Sequence, residues 1–449
     1  MEHNATTSRN AATASTTVSV RPSLQLGSRE SRICFLSGGG TAGDVRPLIS
    51  LALALRARGF DILFVGDEEY KSLASSAGIS ASEWFSFTEA PQGFMLRTTA
   101  GQRWLWEMRP RLRDYWIRQE FDRESRRRIA AFWRLLSHSH ASRIVAAVGS
   151  ISAHTMLFGF GPSCAKIISC PMPYPPSKHF TLDPPDFSFF QRLKARRERR
   201  RTKSNTERFC KELYHLVSAS SAVFPRPGDW LPNMQVTGYI PFDGNATESS
   251  PPGKLVSFLG KGPPPVYVGF GSVPFLFGRW GERLAKEIIT GCRRRKVRCV
   301  IQSSDLSDSF GSEDVFILDS NVSHAWLFPQ CSTIVFHGGY GTLHTALVAR
   351  RTVIIYPFHS DEFLWATRMG ELGVGPGFTA RVRDISAAQL ERDLAFVLTE
   401  DCQMNANRLG SAVESEQGLH VQVAAVESII EHTSRGRGGP LDWQMPRLE

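Results

Sequence analysis

The chain alternates short apolar runs with stretches of helical spacing. Ile33-Cys34-Phe35-Leu36 is an unbroken apolar run and predicts a buried strand. Residues 48–58 carry apolar positions at helical spacing and stop at Gly59, a residue suited to a C-cap. Residues 61–65 predict the next strand. Residues 144–148 and 165–169 predict two more, with a short helix between them. Strands alternating with helices argue for a parallel sheet covered on both faces. The alternation pauses at 241–265, a Pro-, Gly- and Ser-rich stretch that reads as an interdomain linker, and then restarts. Residues 266–272, 297–303, 314–319 and 352–357 predict strands. Residues 332–349 predict strand, glycine turn and helix.

Composition fills in this outline. A chain of 449 residues exceeds one ordinary core. Two α/β domains are expected, an N-terminal one over 31–240 and a C-terminal one over 266–431. Residues 1–30 are rich in Ser, Thr and Ala, with only Glu2 and Glu30 acidic. They are expected to be a disordered tail, with an organelle transit peptide as the other reading. The Gly- and Arg-rich residues 432–449 are expected to form a second disordered tail. The longest apolar stretch, 144–162, is interrupted by Ser150, Ser152 and His154. It predicts strand, turn and helix rather than a membrane span, so a cytoplasmic protein is expected. The eight cysteines lack metal-ligand spacing and are expected to be buried thiols.

The net charge of +10 suits an anionic ligand without identifying one, and no nucleic-acid partner is expected. Residues 103–135 hold ten arginines and seven aromatics. One reading is a solvated amphipathic helix whose aromatics pack on the sheet. The other is an acceptor-side cap or a peripheral membrane contact, with arginines on lipid phosphates. The run RLKARRERRR at 192–201 is expected to be a solvated loop or helix end.

Chemistry concentrates at two glycine turns. In the first, Gly38-x-Gly40-x-x-Gly43 spells the dinucleotide fingerprint after a strand, and Asp67 lies 24 positions past Gly43. An NAD-dependent dehydrogenase would use these residues. The second turn is FHGGYGTLHTA, 336–346. Its small residues let a ligand approach the backbone. A helix beginning near Gly341 would aim free N–H groups and its positive end at that ligand. Thr342 adds a hydroxyl and His337 an imidazole, a set that suits a diphosphate. No GK[ST] follows, so the turn is not a P-loop.

The segment 324–376 resembles the donor-binding region of family 1 glycosyltransferases of the sterol 3-beta-glucosyltransferase type. The matching residues are Trp326-Leu327-Phe328-Pro329, His337 to Thr342, Pro357-Phe358 with Asp361-Glu362, and Trp365. Residues 263–274, 236–243 and 170–180 match as well. The resemblance covers about 31–430. It implies a glycosyltransferase B-type fold, two Rossmann-like domains facing across a cleft. It also implies transfer of a hexose, glucose first, from a UDP-sugar to the hydroxyl of a hydrophobic acceptor such as a sterol or related lipid. His337, Gly338, Gly339, Gly341, Thr342 and Ser272 would hold the donor diphosphate. Asp361 and Glu362 would hold the sugar. The first turn resembles the family's G-[ST]-R-G-D-V-Q-P, so Gly40, Thr41 and Gly43 would form the acceptor-side loop and Asp44 would be the general base. One base and no protein nucleophile imply inversion. Helix amides and His337 would offset the leaving group's charge, so neither metal nor cofactor is implied beyond the UDP-sugar co-substrate.

Four departures bear on specificity. Glu362 stands where the family has Gln, Leu343 replaces a second Thr, and Ala42 replaces Arg. Ser304-Asp305 replace the family's Gly-Trp. Residues 84–135 and 150–190 are expected to form the acceptor pocket, with Trp84, Phe85, Phe87 and Phe94. The alternatives are a glycosyltransferase for small natural-product aglycones and a catalytically degenerate paralogue that binds nucleotide sugar or lipid. A bacterial lipid-linked peptidoglycan glycosyltransferase is a weaker match, because it has His where Asp44 stands.

Overall fold

The computed structural model describes residues 32–37, 42–87, 130, 132–134, 144–150, 153–173, 177–201, 203–242, 251–271, 279–304, 306–320, 322–358, 361–436 and 438–446. The expected tail 1–30, Gly38, Gly40, Thr41, Phe94, Ser272, Asp305 and most of 103–135 lie outside them.

Two parallel sheets arise from the two blocks of alternation. The first contains β1 (Arg32–Ser37), β2 (Asp61–Asp67), β3 (Trp84–Phe87), β4 (Ile144–Gly149), β5 (Ala165–Cys170), β6 (Tyr214–Val217) and β7 (Met234–Val236). Its order is β3-β2-β1-β4-β5-β6-β7. The second contains β8 (Val266–Gly269), β9 (Cys299–Gln302), β10 (Val315–Leu318), β11 (Thr333–Phe336) and β12 (Thr352–Ile355), in the order β10-β9-β8-β11-β12. Every pairing is parallel. The central strands are apolar and buried on both faces, because helices cover both sides. In each sheet the strand order reverses, between β1 and β4 and between β8 and β11. At such a reversal a crevice opens beyond the C-terminal ends of the strands. The second glycine turn follows β11, at the reversal of the second sheet.

The first helix spans Ala42–Ala57, six residues more at its N-terminus than the spacing predicts. Pro47 lies inside it and has no N–H to return to the Gly43 carbonyl. Val45, Leu48, Ile49, Leu51, Ala52 and Leu55 are buried against the sheet and hold the helix despite that loss. Gly59 follows it with φ +95°, as expected of a C-terminal glycine. All eight cysteines are free and buried.

Several expectations need correction. Residues 192–201 are not a loop, because they form the C-terminal part of a helix over Phe189–Arg201. The linker stretch contains a helix, Gly253–Gly260, anchored by Leu255 and Phe258, with the Arg298 guanidinium 4.1 Å from the Phe258 ring centroid. Trp84 is core rather than pocket, since its ring stacks 5.2 Å from that of Phe64. Phe132 is also core, in edge contact with Trp133 and Phe160.

The largest correction concerns the C-terminus. The last long helix, Gly418–Ser434, packs its Val423, Ala425, Val426, Ile429 and Ile430 into the core of the N-terminal sheet. Gln422 donates to Ser169 Oγ at 2.6 Å and accepts from Thr237 Oγ1 at 3.3 Å, so its buried amide is satisfied. The chain then does not trail off. Trp443 is 2% exposed, sits edge-on to Tyr214 at 5.6 Å, and donates its indole N–H to Ser428 Oγ at 3.2 Å. One tryptophan outweighs the polar composition around it.

The chain therefore crosses between domains twice, near 238–252 and again near 416–418. The two crossings touch. Gly238 has φ +89°, and a Cβ there would lie 2.8 Å from the Gly418 Cα. Only glycine permits this approach of backbone to backbone.

Candidate active site

The second glycine turn is built around an imidazole. β11 ends at Phe336, and His337 follows half-buried. Gly338 then adopts φ +109°, a conformation that favours glycine, and a Cβ there would stand 3.0 Å from Ile355 Cγ2 and Glu362 Cβ. A Cβ on Gly339 would lie 2.8 Å from His337 Nε2. A Cβ on Gly271 (φ +69°), past the end of β8, would lie 3.6 Å from His337 Cε1. Two glycines, Gly271 and Gly339, thus stand beside the ring. The helix Tyr340–Val348 begins next, with Gly339 as N-cap. A Cβ on Gly341 would meet nothing within 4 Å, so open space lies above this N-terminus. Thr342 lies in the same first turn, half-buried. Free N–H groups and the helix dipole face that space and His337 lies beside it, a cup whose make-up suits an anion.

The helix that follows β12 supplies two carboxylates at its start. Asp361 accepts from the Trp365 indole N–H at 2.8 Å, and Trp365 is fully buried. Glu362 opens the helix Glu362–Glu371 and accepts from the Phe358 backbone N–H at 2.6 Å. A Gln could make that same acceptance through its carbonyl oxygen and keep an NH₂ to donate. With Glu, the turn keeps its brace and loses the side-chain donor.

On the other sheet, Asp44 sits in the first turn of Ala42–Ala57, two residues inside the helix rather than at an N-cap. A carboxylate there is favoured by the helix dipole. It belongs to an acidic neighbourhood. Burial, then the charges of Glu69, Asp67 and Asp44, push the Tyr70 hydroxyl up. Asp67 itself is fully buried at the end of β2. A ribose could not reach it, which removes the dehydrogenase use of the fingerprint.

Sequence reasoning missed the residues that join the two edges. His324 stacks on Phe328 with ring centroids 4.4 Å apart, and its Nε2 lies 3.1 Å from the Tyr267 hydroxyl. It is half-buried. Burial first, then the charges of Arg46 and His337, lower its imidazole to about 4. Arg46 lies two residues past Asp44 on the first helix, its guanidinium 5.5 Å from the Phe242 ring centroid. His324 therefore feels groups from both domains. The clue available in sequence was Arg46 beside the Asp44 motif, but no local pattern pairs it with residue 324.

Behind the cup the domains are locked. His344, buried on the Tyr340–Val348 helix, accepts the Ser220 backbone N–H at 3.2 Å, and its ring stacks on Tyr239 at 5.0 Å. Arg381 pairs with Asp186 through two bonds of 2.7 Å. Among the described residues no helix is long and apolar enough to cross a membrane.

No family model matches the chain. It is 32% identical over 231 residues to a sterol 3-beta-glucosyltransferase of Arabidopsis thaliana, a match that takes in 51% of this chain and 35% of that protein. The chain thus spans about a third of the length of that relative. It is 25% identical over 431 residues to the O-mycaminosyltylonolide 6-deoxyallosyltransferase of Streptomyces fradiae, covering 87% of this chain and 96% of that one. Among solved structures it resembles the calicheamicin glycosyltransferase CalG4, with TM-score 0.64 at 13% identity, over 90% of this chain and 99% of that one. The chain has the glycosyltransferase B fold, and over about half its length it is homologous to sterol 3-beta-glucosyltransferases.

Proposed function

We propose that the chain is an inverting, metal-independent glycosyltransferase that moves a hexose, glucose first, from a UDP-sugar to the hydroxyl of a hydrophobic acceptor, a sterol or related lipid. The observation that carries this reading is one crevice with an anion cup on one side and a helix-borne carboxylate on the other. In this reading Asp44 takes the acceptor's O–H proton as the acceptor oxygen bonds to the anomeric carbon. The bond from that carbon to the diphosphate oxygen breaks with its electron pair leaving on UDP. The amides of Tyr340–Val348 and His337 hold the released charge. Gly338, Gly339, Gly341 and Thr342 shape the cup. Asp361 and Glu362 face the sugar.

The test is a UDP-release screen of several UDP-sugars against sterols, lipids and polyphenols, with Asp44→Asn and Glu362→Gln alongside. Sterol-dependent UDP release that Asp44→Asn abolishes without weakening UDP binding is the expected result. A change of preferred sugar in Glu362→Gln ties that position to the donor. Absence of both transfer and hydrolysis with every UDP-sugar would leave a binding protein. A second reading, transfer to a natural-product aglycone, is favoured by the Streptomyces fradiae relative, which aligns over nearly its whole length. Polyphenol or macrolide turnover in the absence of sterol turnover selects it.

A further inference from the structure

The helix Phe189–Arg201 presents a surface that the reaction does not use. Its first turn leaves Phe189 74% and Phe190 79% exposed, their rings in edge contact at 5.7 Å, and Leu193 is 43% exposed beside them. Two adjacent phenylalanines this open are uncommon on a water-facing helix. The rest of the helix is basic. Its sequence, FFQRLKARRERRR, sets seven Arg and Lys against the single acid Glu198.

Two of the cations have structural work. Arg192 donates to the Phe187 and Pro185 carbonyls at 3.0 and 2.7 Å, and Arg199 pairs with Asp183 at 2.8 Å. These bonds fix the helix on its loop. Among the described residues Lys194, Arg196, Arg197 and Arg200 make no ion pair, and all four are exposed. Fixed anchors thus hold an apolar tip and a row of exposed bases on one short element. The loop before it is held as well, since Ser177 Oγ and the Lys178 N–H both donate to Asp229 at 2.7 and 2.8 Å.

We infer that Phe189–Arg201 is an interfacial docking helix for an anionic lipid surface, with Phe189, Phe190 and Leu193 entering the acyl boundary and Lys194, Arg196, Arg197 and Arg200 on the phosphates. Aromatic residues at the headgroup level and clustered bases beside them are the two terms of interfacial binding, one apolar and one electrostatic. Nucleic acid would use the bases and leave the phenylalanines unexplained, because bases stack on aromatics set within a basic groove. The 103–135 segment, which sequence alone suggested for membrane contact, is not needed for this surface.

The experiment is vesicle co-sedimentation of the full chain, with no turnover required, so it stands apart from the enzymatic reading. Vesicles of phosphatidylcholine with about a third phosphatidylserine should pull down the protein, and pure phosphatidylcholine should not. Raising NaCl to about 0.5 M should release most of it, since the charge term is screened over a few ångströms there. The double variant Phe189→Ser/Phe190→Ser should weaken partitioning about tenfold or more, from the apolar area lost. The triple variant Arg196→Gln/Arg197→Gln/Arg200→Gln should weaken it about a hundredfold. Both sets are exposed, so an unchanged thermal midpoint separates lost docking from lost folding. Wild-type protein that ignores phosphatidylserine vesicles overturns the proposal, as do variants that bind like wild type. So does a single-stranded RNA probe bound more tightly than the vesicles, or a dimer that Phe189→Ser/Phe190→Ser converts to monomer without any vesicle binding.

Discussion

The two sheets carry the same device in sequence, a strand followed by glycines and then a helix, yet its surroundings differ between them. On the C-terminal side shape dominates. A Cβ on Gly339 would press on His337, one on Gly338 would press on Ile355 and Glu362, and Gly271 takes φ +69° beside the ring. On the N-terminal side charge dominates. Asp44, Asp67, Glu69 and Arg46 gather around the first turn of Ala42–Ala57 and are felt by Tyr70 and His324. In the proposed reaction the glycine cup would hold the diphosphate by its shape, and the helix-borne Asp44 would take the proton.

The sharpest way to break that contrast is a pair of substitutions. Asp44→Asn should lower kcat by about 10²–10⁴ and leave UDP affinity within about threefold. Gly339→Ala should do the reverse, weakening UDP by about ten- to a hundredfold as the added methyl pushes His337 away from the proposed diphosphate site. Calorimetric UDP titration beside turnover reads both. If either variant loses both properties alike, the division between shape and charge fails.

Next in size is the anchor that ties the C-terminus to the charged side. Trp443→Ala should cost about 3–5 kcal/mol of stability, as expected for a truncated core aromatic, and is measured by urea unfolding. A loss below about 1 kcal/mol would mean that residues 438–446 ride on the surface.

Acid should act on both domains together. His215 on β6 and His344 beside the cup are each lowered to about 4, chiefly by burial. Their ordinary value is 6.5, so the unfolded chain binds more protons below that pH. Stability is therefore held above pH 6.5 and lost as pH falls towards 4. Thermal midpoints across pH 8 to 4 should be flat and then fall, and His344→Gln should flatten part of the descent. The smallest effect is expected at the Arg58–Glu427 pair, which joins the first helix to the last at 3.0 Å with Arg58 41% exposed. Arg58→Ala should cost under about 1 kcal/mol by the same unfolding measurement.

Much of this molecule can be read from local pattern. The parallel strands announce themselves as apolar runs, because burial on both faces leaves no alternation. The cup is legible in 336–346, since glycines at those spacings have few other uses. Asp44 is legible through its motif, although its position inside the helix is not. What local pattern cannot carry is contact across hundreds of residues. Nothing near Gln422 indicates Ser169, and nothing near His324 indicates Arg46. The Gly- and Arg-rich composition after 432 misleads for the same reason. A single tryptophan decides the outcome there, and its partners Tyr214 and Ser428 come from elsewhere.

The contact of Gly238 with Gly418 bears on how the protein could be divided. A cut in 243–250 would not release two independent halves. The C-terminal fragment would still own a helix that belongs to the core of the other, and the N-terminal fragment would lack a wall of its own core. The pair should instead behave as complementing fragments, each incomplete alone and reassembling around two glycines.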